Sequence, residues 1–515
     1  MAFTRRYFFY GTLLAGAVPS GGFGSSGSLP RLGYKSPNEK LNIASIGAGG
    51  QAASDIRGCA SENIVALCDV DDNSAARMFQ TYEKAPKYKD FRKMLDKEKD
   101  IDAVIVAIPD FMHATAAIAA MERGKHVYVE KPLVRTIWEA RKILEVANKY
   151  KVATQMGNQG YSNEGTRQAA EMVWAGEIGN VTEVHAWTDR PIWPQGLTAI
   201  PAPTPVSAGL DWDLWLGSAP ERPFTVGGPG YPDQQGRNFY QPFNWRGFYD
   251  FGCGALGDMA CHILGAPNMA LKLGAPSSVE CIKKEGTSDF MFPKKSVIRF
   301  DFPARGSMPP LKLFWYDGLK VNPEIPGVPK GEYIGDLPSR SRGGAGRGAA
   351  GATPAAGAAA AAAPRPAPPR PTGFQGSVFD FESFDAMRQD ATPPRLPSPD
   401  GSLFIGDKGM LTTGTYGADT RLIPVDKMKG YRFPSQLLTR SPEHHLDWIR
   451  ACKGGDPACS NFSVASPFVE WMLLGVIALR VEGKLEYDPI KMKITNNADA
   501  NKYLRPNFRK GRQLT

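Results

Sequence analysis

The sequence predicts an α/β protein: an amino-terminal doubly wound parallel sheet followed by a second domain. Three observations carry this. At 515 residues the chain is too long for one compact core, because single domains stop growing near roughly 250 residues. A short apolar strand pattern, Lys40 to Ile46, runs directly into Gly47-Ala48-Gly49-Gly50-Gln51-Ala52 and then a helical stretch. Strand and helix patterns keep alternating to Gln155, the signature of parallel strands joined by crossover helices.

Each element has its own reason. The glycine string is G-x-G-x-x-A at a strand-turn-helix junction. Gly47 permits the tight turn and Gly49 lets the backbone approach a pyrophosphate. The small Ala52 allows helix and strand to pack closely, and Gly50 opens the helix whose N-terminus faces the anion. The second strand, Ile64 to Cys68, ends at Asp69, where a carboxylate accepts hydrogen bonds from an adenosine ribose. No Arg or Lys follows in Val70-Asp71-Asp72-Asn73, which favours NAD over NADP. Helices follow near Asn73–Lys84 and Phe91–Lys97, a strand at Ala103–Ile108, a helix at Ala114–Arg123, a strand at His126–Val129, a helix at Ile137–Lys149 and a strand at Val152–Gln155. The nucleotide-binding domain is placed at 38–157 and the second domain at 158–515.

Hydrophobic residues at 42% exclude a disordered or fibrous chain. The net charge of +9 does not indicate nucleic acid, because Arg5, Arg6, Arg340, Arg342, Arg347, Arg365 and Arg370 supply most of it outside any folded face. Arg5-Arg6 ahead of a short apolar stretch resembles a twin-arginine export signal, with signal and linker over 1–33 and a periplasmic destination; a frayed cytosolic N-terminus is the alternative. No apolar run approaches the roughly 20 residues of a membrane span. Residues 339–373 collapse into Gly, Ala, Pro and Arg and are expected to form a disordered insertion. Seven cysteines without a CxxC argue against a zinc framework; buried free thiols are favoured over a Cys452–Cys459 disulfide.

Lys131 lies between Glu130 and Pro132 directly after a strand, at the end where open α/β sheets place their ligand crevice, and a cis Pro132 would help to aim it. In Gly254-Ala255-Leu256-Gly257-Asp258-Met259-Ala260-Cys261-His262, Asp258 and His262 stand four apart on one helical face, where a carboxylate can orient an imidazole. Two such ligands without a third make a metal the weaker reading. GAGGQA, the segment IPDFMHA with Pro109 and His113, GKHVYVEKPL and GDMACH together resemble the Gfo/Idh/MocA oxidoreductase family, over nearly the whole chain apart from the leader and the Ala/Pro tract.

The resemblance implies a Rossmann domain and an α+β carboxyl-terminal domain with a large, mainly antiparallel open sheet through which homo-oligomers form. It implies that Lys131 polarises the reacting oxygen, His262 exchanges the proton and Asp258 holds His262. Pro109 and His113 would lie beside the nicotinamide, with Glu130 and Lys131 completing the cofactor contacts. Aromatic and polar residues beyond the first domain suit a carbohydrate or polyol. The candidates are Asn158, Gln159, Arg190, Trp193, Trp245, Arg246 and Tyr249, while His444 and His445 are expected to be structural. The favoured function is a sugar or polyol oxidoreductase with tightly held NAD; the alternatives are a redox-neutral glycosidase or lyase that also uses bound NAD, and a non-catalytic binding protein.

Overall fold

The computed structural model describes residues 39–227, 238–337, 379–389 and 399–512. The leader with Arg5 and Arg6, and the tract 339–373, lie outside the described residues.

The first sheet is built from β1 (Asn42–Ile46), β2 (Asn63–Cys68), β3 (Lys87–Tyr88), β4 (Ala103–Val106), β5 (His126–Glu130) and β6 (Thr154–Gly157). All pairs are parallel, in the order β3-β2-β1-β4-β5-β6. Strand order reverses at β1, which opens a crevice at the carboxyl ends of the strands beside the glycine loop. Between the strands run α1 (Gly50–Gly58), α2 (Asp72–Thr81), α3 (Phe91–Lys97), α4 (Asp110–Met121) and α5 (Ile137–Tyr150). Their starts follow local chemistry. Asp71 accepts from the Asn73 amide at 3.0 Å, Asp90 from the Arg92 amide at 2.9 Å, and Thr136 with Glu139 forms a capping box. Helix α4 begins at Asp110 rather than near Ala114, because Pro109, at φ −60°, sits at the N-cap. Pairing of β5 with β6 starts at Val127 and Thr154, which moves that strand two residues past the expected Val152.

After α6 (Glu164–Trp174) the chain enters β7 (Val181–Trp187), then α7 (Trp212–Leu216), α8 (Gly254–Ile263) and α9 (Gly265–Ala270). The second sheet adds β8 (Ser278–Glu285), β9 (Lys295–Phe302) and β10 (Leu311–Asp317), and after α10 (Phe381–Gln389) come β11 (Gly401–Gly406), β12 (Met410–Thr413) and β13 (Arg421–Ile423). Helices α11 (His444–Cys452) and α12 (Phe462–Ala478) precede β14 (Lys484–Asp488) and β15 (Lys493–Ile494). The order is β13-β12-β11-β7-β10-β9-β8-β14-β15, antiparallel except where β10 runs parallel to β7. Burial alternates along β9 and β10, so one face packs inward and the other looks out. On the inner face Trp471 of α12 sits edge-on to Phe300 and Phe302, each at 5.3 Å between ring centroids.

The packing does not divide where the two sheets do. Trp448, Ile449 and Cys452 of α11 belong to the same core as Leu41, Ile43, Ile56 and Leu67 of the first domain. The Gln155 amide donates to the His444 carbonyl at 2.7 Å, and Arg141 of α5 donates to Glu470 of α12 at 2.8 Å. The carboxyl-terminal helices therefore clamp the nucleotide-binding sheet against the second sheet. No described helix is long and apolar enough to cross a membrane. All seven cysteines are free thiols, Cys452 buried and Cys459 half-buried.

Trp448 is fully buried in this clamp. Trp448→Ala is expected to lower stability by about 3–5 kcal/mol, the range for truncating a buried tryptophan, read as a shifted urea midpoint. A change below about 1 kcal/mol, the range of surface substitutions, would show that α11 contributes little to the core.

Candidate active site

The glycine loop has the shape its sequence demands. Gly47 holds φ +96°, and a Cβ there would collide with the Ala107 carbonyl, while one at Gly49 would meet Ser74. Gly50, at φ +51°, faces open space, and Ala52 is fully buried beneath the turn. Helix α1 starts with no side-chain cap and no acidic residue in its first turn, so its first amides are left for an anion. At the end of β2, Asp69 accepts from the Ala48 amide at 2.9 Å and the Asp71 amide at 3.0 Å. Burial pushes its carboxyl above the usual range. Lys89 reaches this end and pairs with Asp72 at 2.9 Å. The loop, the bare helix end and Asp69 together fit a dinucleotide whose ribose carries no extra phosphate.

A polar cluster lies where β5 ends. The Lys131–Pro132 peptide is cis. The Lys131 ammonium donates to the Asp258 carboxylate at 2.7 Å and to its carbonyl at 2.8 Å. Arg246, from the 3-10 turn Asn244–Gly247, reaches the same carboxylate at 3.1 Å, and Arg190, just past β7, approaches at 3.7 Å. The Arg246 guanidinium is stacked on Phe243 at 4.1 Å and Trp245 at 4.2 Å, which fixes its plane. Burial alone would raise the Asp258 pKa; the charges of Lys131, Arg246 and Arg190 outweigh it and hold the carboxyl well below the usual range.

Asp258 therefore grips Lys131 and the arginines, not His262 as the helical spacing suggested. A carboxylate surrounded by three cations is drawn to them in preference to a neutral ring. His262 is buried, and its Nδ1 has no hydrogen-bond partner among the described residues. Burial, then the Lys131 charge, push its pKa down to about 3 against the pull of Asp258. The Tyr416 ring, from the loop between β12 and β13, meets the His262 ring at 4.7 Å, and burial raises its hydroxyl to about 12. Tyr416 belongs to no motif, so nothing in the sequence pointed to it. Asp110 is another addition: buried at the start of α4, it is pushed up to about 7 against the fields of Arg246 and Lys131.

The remaining candidates divide. Glu130 accepts from the Lys131 amide and from Gln159, both at 3.2 Å, and so fixes the strand end. Pro109 caps α4, and the His113 ring contacts the Ile108 carbonyl at 2.6 Å, pinning the loop between them. Asn158 is fully buried and accepts from Ser460. The indoles of Trp193 and Trp245 are buried and spend their N–H groups on Gln195 at 3.0 Å and the Pro242 carbonyl at 3.1 Å. They are core residues rather than a sugar platform, because an indole satisfied internally is held inward. Tyr249 packs on Phe292 at 4.5 Å and lines a separate cavity that Lys131, Asp258 and His262 do not border. His444 donates or accepts at Ser162 at 2.7 Å, and His445 contacts Asp55 at 3.2 Å, both within the clamp. Among the described residues no group of three or more His, Cys, Asp or Glu is placed to hold a metal.

Fold and loop define the amino-terminal part as a dinucleotide-binding domain. Residues 41–158 match the family described as GFO_IDH_MocA, oxidoreductase family, NAD-binding Rossmann fold. A glycosyl hydrolase family 109 protein of Solibacter usitatus is 32% identical over 175 residues, 31% of this chain and 39% of the relative. An inositol 2-dehydrogenase of Salmonella paratyphi B is 31% identical over 124 residues, 24% of this chain and 37% of the relative. The match thus spans well under half the length of these curated relatives. Across both domains the fold is that of the WlbA dehydrogenase of Bordetella pertussis, solved with NADH and UDP-GlcNAcA: the TM-score is 0.52 at 12% identity, covering 87% of this chain and 99% of that one.

The His262 shift has a sign. Its ordinary pKa is 6.5 and its folded value about 3, so between those values the unfolded chain binds a proton that the fold refuses. The histidine thus works against folding as pH falls through that window. Imidazole carbon resonances of His262 are expected to stay at their neutral positions from pH 8 to about pH 5, since an unperturbed imidazole titrates near 6.5. An inflection near 6.5 would show that water or a carboxylate reaches the ring.

Proposed function

We propose that the chain is an NAD-dependent oxidoreductase that moves a hydride between a CH–OH or C=O carbon of a sugar or polyol and the nicotinamide. The observation that carries this reading is Lys131, held by Asp258 at the carboxyl edge of the NAD-binding sheet and accompanied by a buried, neutral His262. Bound NAD would supply the hydride acceptor or donor. Gly47, Gly49, Gly50 and Asp69 would hold it, with the first amides of α1 facing its pyrophosphate.

The side chains perform the rest. An ammonium has three N–H donors, and Asp258 takes two of those of Lys131, through its carboxylate and its carbonyl. One remains to stabilise negative charge on the reacting oxygen as an alkoxide develops. Neutral His262 can take the hydroxyl proton in oxidation and return it in reduction. Asp258, held ionised by the cations around it, keeps the ammonium fixed in place. Arg190 and Arg246 border the same carboxylate and offer further donors to a hydroxyl-rich substrate.

The relative named inositol 2-dehydrogenase supports the polyol class. A second reading rests on the relative named glycosyl hydrolase family 109 protein: a transient oxidation that loosens a glycosidic bond and is then reversed, with no net redox change. Arg5-Arg6 supports export to the periplasm, where free nicotinamide is scarce, and so a tightly retained cofactor. The half-buried Phe314 and Tyr316 on the outer face of the second sheet support self-association there.

Incubation with hexoses, inositols and aryl glycosides distinguishes the two readings. Nicotinamide reduction marks the oxidoreductase, and aglycone release without a net absorbance change marks the glycosidase. Lys131→Ala and His262→Ala are each expected to lower turnover by about 10²–10⁴-fold with cofactor still bound; intact turnover in Lys131→Ala would overturn its assignment. Asp69→Ala is expected to weaken NAD binding by about tenfold, the loss of a charged hydrogen bond, measured by calorimetric titration.

A further inference from the structure

A cavity of about 440 Å³ opens between the start of α5, the carboxyl end of α12 and the segment 502–507. Its size falls in the range of about 300–1,000 Å³ typical of small-molecule sites. The loop 131–136 borders both places: Lys131 stands in the catalytic cluster, while Arg135 and Thr136 line this cavity.

The lining is strongly cationic. Arg135, Arg480, Lys502 and Arg505 all face it, and none of the four forms an ion pair among the described residues. The Arg480 guanidinium lies between the rings of Tyr249 at 4.4 Å and Tyr503 at 3.9 Å. Its faces are thus covered, and its in-plane N–H edges have no acceptor among the described residues. Arg135 spends one nitrogen on the Tyr249 carbonyl at 2.9 Å, while its buried Nε has no partner. Two carboxylates stand close by, both engaged: Asp250, which itself lines the cavity, pairs with Arg222, and Glu139 takes the Thr136 amide at 2.9 Å and hydroxyl at 2.8 Å. The rest of the lining includes the apolar side chains of Ile137, Leu473, Val476 and Ile477.

Partly buried guanidinium edges beside an apolar wall gain from a partner, and planar N–H forks match phosphate and carboxylate oxygens. We propose that this cavity is a binding site for a small organic anion, whose phosphate or carboxylate is held by Arg135, Arg480, Lys502 and Arg505 and whose apolar part lies on the α12 wall. The site is separate from the NAD crevice, and its occupancy does not depend on the redox reading.

The test is calorimetric titration of the full chain at fixed ionic strength, with NAD⁺ saturating so that the nucleotide site is filled. The probes are phenyl phosphate, benzoate and, as the neutral control, benzyl alcohol. Saturable binding of phenyl phosphate or benzoate at one per chain is expected, with benzyl alcohol at least tenfold weaker; the stronger anion identifies the head group. Lys502 and Arg505 are exposed, so the double variant K502Q/R505Q should melt like the wild type, bind NAD⁺ unchanged and bind the anion at least tenfold more weakly. No saturable anion binding, equal binding of benzyl alcohol, or unchanged anion affinity in the folded double variant would each overturn the proposal.

Discussion

The polar cluster at the carboxyl edge of the first sheet is arranged around one buried carboxylate. Asp258 lies inside the protein and stays ionised only because Lys131, Arg246 and Arg190 converge on it. Removing one partner from such a buried group typically costs about 3–5 kcal/mol, because a charge is left without compensation. The constraint therefore ties together the loop after β5, the turn before α8, the chain just past β7 and α8 itself. Those segments come from both sheets, so satisfying the carboxylate fixes how the second domain sits on the first. The carboxyl-terminal helices reinforce the same junction from the other side, through Trp448 and the Arg141–Glu470 pair.

The same grouping sets the protonation states that chemistry needs. A lysine held by an ionised aspartate presents a fixed donor, while burial lowers the pKa of the neighbouring histidine to about 3. One group is placed to stabilise negative charge; the other exchanges a proton against its lowered basicity, with the Asp258 charge as the pull that favours it. The nucleotide domain supplies the complementary half, a bare helix end and the Asp69 carboxylate at the switch point of a parallel sheet.

Much of this was legible in the sequence because it is local. GAGGQA, Asp69, the EKP segment and the Asp258–His262 helix are short patterns whose geometry their own residues enforce. What escaped depends on partners far apart in the chain. The spacing of Asp258 and His262 placed them on one helix, but only the fold shows that Arg190 and Arg246 arrive to claim the carboxylate. Trp193 and Trp245 read as a sugar platform by composition, yet their indole N–H groups are satisfied within the protein. Tyr249 is an aromatic candidate of the same kind, yet it lines the cationic cavity. Tyr416 carries no motif at all, and the return of α11 onto the first domain is set by tertiary packing of Trp448 rather than by any boundary signal.

The central claim is that Lys131, Asp258 and His262 serve a nicotinamide retained by the glycine loop and Asp69. Its most direct test is the mass and absorbance spectrum of nucleotide released by denaturing protein purified without added cofactor, with NAD⁺ then titrated into any empty fraction. The expected result is NAD(H) close to one per chain. A chain that releases no nucleotide and binds no added NAD⁺ would contradict the account.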